Sequence, residues 1–296
     1  MEQKLDTTNV LPLNLIHHLT LITYDNVSLY NELPITKFIN FEDYEIFYQR
    51  ETDRQYGMPK GKSYDYDKTI KKEEINSYIY RSEEFINDHN GKHVLFVGDS
   101  NTWGTGLLYE EQWSRKLYKT IANDKEVSGY FNIGCVASSI FHSIITIFKY
   151  CKQFGNPDYI FFNMHKLNSF YAYDQELNKI TDAWYKRHPV INLLSYHYYF
   201  MLEQYCESNN IKLLSFTGYN AEPPMKKALF ESKIDQFKTF YKIDEDEITI
   251  FIKKYKDNNK HLEEAKYFDK ARDGEHDGIA YHAYWAEFMY KKYLEL

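Results

Sequence analysis

The chain has 296 residues, 43% of them hydrophobic and 27% charged, the balance of an ordinary globular protein with enough chain to bury a core. A formal charge of -7 and lysines interspersed with acids exclude the basic stripe that nucleic-acid binding needs. No run is long enough for a transmembrane helix, and the start, Met-Glu-Gln-Lys-Leu-Asp, lacks the pattern of a signal peptide, so a chain cytoplasmic at synthesis is expected. Three cysteines without a Cys-x-x-Cys pair suggest neither a disulfide framework nor a zinc ribbon, and Cys135 and Cys151 read as small core residues. The 29 tyrosines could stack on sugars, but Tyr, Phe, Ile, Asn and Lys together are also what an AT-rich genome encodes.

Residues 1–90 are expected to form an N-terminal extension with no chemistry of its own, and 91–296 a catalytic domain. Within the extension, Leu11 to Tyr24 mixes helical and strand spacings, and Phe38–Phe41, Tyr44–Tyr48 and Ile75–Tyr80 read as short strands. Arg50–Lys68 reads as loop.

From His93 onward strands and helices alternate, the signature of a mostly parallel sheet with helices on both faces. Val94–Val97 is a short apolar run that stops at Gly98, so the following turn presents Asp99, Ser100 and Asn101 beyond a strand end. Glu110–Ile121 places Trp113, Leu117 and Ile121 on one helical face. Tyr130–Ile133 is a strand, Ser138–Phe154 a helix and Tyr159–Met164 a buried strand. Leu167–Thr181 reads as an irregular excursion, and Pro189 opens a helix running to about Glu207. Ile211–Phe216 is a strand, Ile243–Lys256 a helix with Lys253, Lys254 and Lys256 on a solvated face, and Gly278–Leu296 a final helix.

The stretch Gly98-Asp99-Ser100-Asn101-Thr102-Trp103-Gly104 resembles the first block of the SGNH (GDSL-type) hydrolase family, with Gly98, Asp99, Ser100, Thr102 and Gly104 as the matching residues. A serine hydroxyl needs a base to take its proton and a third group to orient that base. Asp273 and His276 stand three apart just before the last helix, and this Asp-x-x-His arrangement is similar to the family's last block. Alone, His276 would read as an exposed loop histidine and Asp273 as a helix cap; the upstream block changes that weighting. His276 and His282, six apart, do not have metal-ligand spacing on one helical face. Gly104 and Gly106 begin a dinucleotide fingerprint that fails at Tyr109.

The resemblance implies a three-layer α/β/α, flavodoxin-like SGNH hydrolase fold and a serine esterase with nucleophile Ser100, base His276 and orienting Asp273. It implies an oxyanion hole from the NH of Ser100, the NH of Ala137 after Asn132-Ile133-Gly134, and an Asn side chain in a divergent third block. There Asn168 fits better by distance from Asp158, with Asn163 the alternative. The Trp in the first block and Ala-Arg-Asp-Gly-x-His near the end resemble SGNH-like proteins of bacteriophages, which implies a possible place in a virion. No cofactor or metal is implied. The expected partner is a small-molecule or glycan ester, with a small acyl group on a sugar favoured because no long apolar lid segment is apparent. Acyl transfer to a sugar acceptor and a non-catalytic binding or structural module remain open as alternatives.

Overall fold

A computed structural model of the chain describes residues 71–78, 80–135, 138, 140–164, 169–174, 179–184, 189–217, 237–272, 274 and 276–296. The expectations for residues before 71 lie outside these. The centre is a five-stranded, all-parallel sheet of β1 (Val94–Val97), β2 (Phe131–Asn132), β3 (Tyr159–Asn163), β6 (Lys212–Phe216) and β7 (Phe240–Tyr241), in the order β2-β1-β3-β6-β7. With the separate antiparallel pair of β4 (Ser169–Asp174) and β5 (Lys179–Trp184) set apart, this is the 2-1-3-4-5 order of flavodoxin-like sheets. The strand order reverses between β1 and β3, and the carboxyl ends of the strands at such a switch point are where open α/β sheets bind ligands.

All four residues of β1 are buried, and their alternation divides the core in two. Leu95 and Val97 pack with Ile144, Ile147 and Cys151 of α3 (Ile140–Phe154) and with Tyr199 and Leu202 of α4 (Pro189–Ser208). Val94 and Phe96 pack on the other face with Trp113, Leu117 and Ile121 of α2 (Trp113–Asp124) and with Ile248 of α5 (Glu245–Asn259). Trp285 and Met289 of α6 (Ile279–Leu294) complete that layer. Helices therefore cover both faces of the sheet, as a parallel sheet requires. Asp244 caps α5 by accepting from the NH groups of Asp246 and Glu247, and acidic residues fill the first turn. Lys253 and Lys254 of this helix are exposed and Lys256 is half-buried. The three cysteines are free and buried, and burial pushes the Cys151 thiol up to about 12.

Four expectations change. Ile75–Tyr80 is not a strand: the Asn76 carboxamide oxygen accepts from the NH groups of Tyr78 and Tyr80, at 3.0 Å each, and captures the backbone in a turn. The Leu167–Thr181 excursion is instead occupied by a regular antiparallel strand pair that runs three residues past it, β4 (Ser169–Asp174) with β5 (Lys179–Trp184), whose pairing supplies the order that single-strand patterning does not reveal. The helix expected from Glu110 is a 3₁₀ turn, Tyr109–Glu111, followed by α2 after an extended Gln112. The residues after Gly98 form a single helical turn, α1 (Ser100–Trp103), rather than a plain turn. The short edge strand β7 adds to the expected set.

The described end of the N-terminal segment enters the core. Tyr80, Arg81, Ser82 and Phe85 are buried, and the Arg81 guanidinium donates to the carbonyls of Gly104 and Leu107 at 2.8 and 3.0 Å while pairing with Glu74.

Candidate active site

Gly98 ends β1 because nothing larger fits: a Cβ there would lie 1.9 Å from Thr102 Oγ1 and 3.1 Å from the Asn163 carbonyl oxygen. Asp99 then caps α1, its side chain accepting from the NH of Asn101 at 2.9 Å, and its carbonyl accepts from the NH groups of Thr102 and Trp103. Gly104 closes the turn in a left-handed conformation (φ 84°), its NH donating to the Ser100 carbonyl. Ser100 is thus the first helical residue after the strand, and only 8% of its surface is exposed.

The neighbouring strand end is tied to this turn. Asn132 donates to the Thr102 carbonyl (2.9 Å) and accepts from the NH of Gly134 (2.8 Å). The Gly98 carbonyl accepts from the NH of Cys135 and from the Ser138 hydroxyl. Cys135 and Ser138 beyond β2 therefore lie alongside the turn that carries Ser100, although Ala137 itself lies outside the described residues. Asn163 is the last residue of β3, fully buried and in register with Phe216. Asn168 lies outside the described residues.

His276 is half-buried, and its Nε2 lies 2.7 Å from Ser100 Oγ across 176 positions of sequence. Its loop closes on itself: the NH of Ala271 donates to the His276 carbonyl, Gly278 NH to the Asp269 carbonyl, and the backbones of Lys270 and Asp277 pair as an isolated antiparallel β-bridge. Gly274, at φ 76°, supplies the left-handed turn, its NH donating to Ala271. Asp273 lies outside the described residues, so two of the three expected triad members, Ser100 and His276, are seen together.

His282 has a different job from a metal ligand. Buried in α6, it accepts the NH of Trp113 at Nδ1 (3.0 Å), which places its proton on Nε2. Burial, followed by the nearby Lys116 and His276, pulls its pKa well below the ordinary value, so it is neutral. Among the described residues no group of three or more His, Cys, Asp and Glu could hold a metal ion. Gly104 and Gly106 both have positive φ, which accounts for them as turn residues.

Sequence reasoning did not single out Arg272. Its NH donates to the Gly106 carbonyl at 3.0 Å, and its guanidinium engages the Glu111 carboxylate with both prongs. The only available signal was a charged residue inside the Gly-containing loop ahead of His276.

An α/β sheet with a hydrogen-bonded serine and histidine at the end of its first strand can generate a nucleophilic alkoxide by proton transfer. No protein-family model matches the sequence, and no curated protein does. In structure the chain is similar to the psychrotrophic esterase EstA from a Pseudoalteromonas species, at 15% identity over 69% of this chain and 98% of that one, with a TM-score of 0.44. It is similar to TesA at 15% identity over 68% and 98%, TM-score 0.44. A GDSL-like lipase from Bacteroides thetaiotaomicron matches at 15% identity over 83% and 98%, TM-score 0.34. No helix among the described residues is long and apolar enough to cross a membrane.

Proposed function

We propose that this protein is a serine esterase acting on a small acyl group, most simply acetyl, carried by a carbohydrate. The observation that carries the reading is the 2.7 Å contact between Ser100 Oγ and His276 Nε2 at the carboxyl end of β1. Ser100 Oγ bonds to the ester carbonyl carbon as its proton passes to His276 Nε2. The tetrahedral intermediate collapses with cleavage of the C–O bond, and His276 returns the proton to the departing alkoxide. A water molecule, deprotonated by His276, then releases the acyl group as a carboxylic acid and restores Ser100.

Asp273 orients the imidazole from within the same loop. The oxyanion is held by the NH groups of Ser100 and Ala137 and by an Asn side chain, either Asn168 or Asn163. Loss of the correct Asn should lower kcat about 10²- to 10³-fold, so Asn163→Ala beside Asn168→Ala identifies the donor. A small acyl group on a sugar is favoured over a lipid ester because no long apolar lid segment is apparent in the sequence, and no cofactor enters the scheme.

The test is hydrolysis of p-nitrophenyl acetate by wild type, Ser100→Ala and His276→Ala, with fluorophosphonate labelling in parallel. Hydrolysis and labelling lost in both variants support the reading; wild-type protein that neither hydrolyses nor labels overturns it in favour of a binding or virion module. Labelling without hydrolysis, with product formed only when a sugar acceptor is present, identifies an acyltransferase instead.

A further inference from the structure

Ser100 and His276 belong to segments far apart in the chain, yet they meet at hydrogen-bond distance. The segment joining α1 to α2 and the loop at 269–278 touch through Arg272. Its backbone NH donates to the Gly106 carbonyl (3.0 Å), and its Nη1 and Nη2 meet Glu111 Oε2 and Oε1, the latter at 2.9 Å. The guanidinium also lies over the Tyr267 ring, 4.4 Å from its centroid. Glu111 Oε2 accepts in addition from the NH of Leu108 at 2.7 Å, so the carboxylate is fixed to its own segment before it receives the arginine. The two side chains are only 8% and 12% exposed.

A desolvated ion pair is weak evidence of net stabilisation, because the cost of removing two charges from water offsets their attraction. A forked pair does fix both distance and angle, which an ammonium on a flexible stem does not. We propose that Arg272 and Glu111 form a positioning clamp that sets His276 Nε2 on Ser100 Oγ by fixing the base loop against the segment leaving the nucleophile turn. Neither residue touches the reacting groups; both act through the backbone. The inference rests on the reading of Ser100 and His276 as nucleophile and base.

The test uses the full chain with Arg272→Lys, which keeps the charge and loses the fork, and Glu111→Gln, which keeps the shape and loses the charge. Circular dichroism and thermal unfolding establish that each variant is folded. With p-nitrophenyl acetate, kcat is expected to fall about 10- to 100-fold, the scale of a misplacement near 1 Å, while KM stays within about two-fold of wild type. A second readout does not need turnover: the His276 imidazole titration followed by ¹⁵N-edited NMR, with and without Ser100→Ala. In the wild-type background loss of the hydroxyl should shift that titration, and in the Arg272→Lys background it should not. Variants with wild-type kcat, or a Ser100→Ala shift that persists in Arg272→Lys, overturn the clamp. A wild-type protein inert to both ester and fluorophosphonate overturns the esterase reading alone, and the NMR comparison then decides the clamp.

Discussion

Ser100 is held largely by its near neighbours and by the strands beside it: the Asp99 cap, the Gly104 closure, the Asn132 bond to Thr102 and the Arg81 bonds to Gly104 and Leu107. His276 arrives from near the other end of the chain on a loop that closes through a few backbone bonds and reaches the Ser100 segment through Arg272; in the proposed reading these two arrangements are the nucleophile side and the base side. The first arrangement is part of the buried core, so a fault in it is a fault in folding. The second is a loop fastened to that core, so a fault in it mainly moves one imidazole. The difference separates changes that cost stability together with activity from changes that cost activity alone.

The largest expected effect follows from Gly98→Ala. The added Cβ would overlap the Thr102 side chain at 1.9 Å and press on the Asn163 carbonyl, and neither can withdraw without moving α1 or β3. Overpacking of this kind is expected to cost about 3 kcal/mol in urea unfolding and to remove hydrolysis as well. On the base side, His276→Ala removes the hydrogen bond to Ser100 from a half-buried ring, and its expected cost is below about 1 kcal/mol with hydrolysis abolished. Equal destabilisation by the two substitutions would break the contrast.

Asn132→Ala comes next. It leaves the Thr102 carbonyl and the Gly134 NH without the partners that Asn132 supplies, in a buried setting. The expected loss is about 2–3 kcal/mol, with a fall in kcat because the turn that carries Ser100 loses its tie to the strand beside it. Urea titration alongside p-nitrophenyl acetate kinetics checks both, and a lower kcat at full stability would place Asn132 with the base side instead.

What could be read in the sequence was local. Val94–Val97 gave a strand, and Trp113, Leu117 and Ile121 a helical face, because period and burial coincide within a few residues. Ser100 and His276 could be named because each lies in a short block with its own chemistry. Asp273, Ala137 and Asn168 lie outside the described residues, and the domain boundary at 90 is still an expectation, although Tyr80 to Phe85 already contribute to the core. Pairings between distant positions outside such blocks were not legible: Arg272 with Glu111 spans 161 positions and His282 with Trp113 spans 169. The β4–β5 hairpin was missed for a related reason, since the register of Tyr171 with Asp182 and Tyr173 with Ile180 is a property of the pair and not of either strand.

Acid tests the layers behind both sides together, because the amino end of β1 and α6 each carry a buried imidazole whose pKa is lowered. His93, at the foot of β1, has its pKa lowered from 6.5 to about 3, first by burial and then by the stacked His89, against the opposing influence of Asp158. The folded value lies below the unfolded one, so the unfolded chain binds more protons between these limits. Its contribution is therefore complete above about pH 6.5 and declines as the pH falls towards 3, at about 1.4 kcal/mol per pH unit. At pH 5 the loss from His93 is about 2 kcal/mol. His282, on the base side, acts in the same direction. Urea unfolding between pH 7 and 5 should show this slope, and His93→Gln should reduce it by about 1.4 kcal/mol per pH unit. An unchanged slope in that variant would mean that His93 titrates normally in the folded protein.

The smallest effect belongs to neither side and shows whether lost stability by itself can slow the reaction. Asp244 caps α5, its Oδ1 accepting from the NH groups of Asp246 and Glu247 at 2.8 and 3.2 Å. Asp244→Ala leaves those helix donors to water and also removes a negative charge from the positive end of the helix dipole, for an expected cost of about 1 kcal/mol. Because α5 packs on α6 through Ile248 and Ile252 in the layer away from α3, the loss should appear in the urea midpoint while kcat and KM stay at wild-type values. If kcat falls with the cap, the base loop is sensitive to the stability of the whole layer behind it. Lys256 of α5 pairs with Asp269 at the start of that loop, and it would then be the first connection to examine.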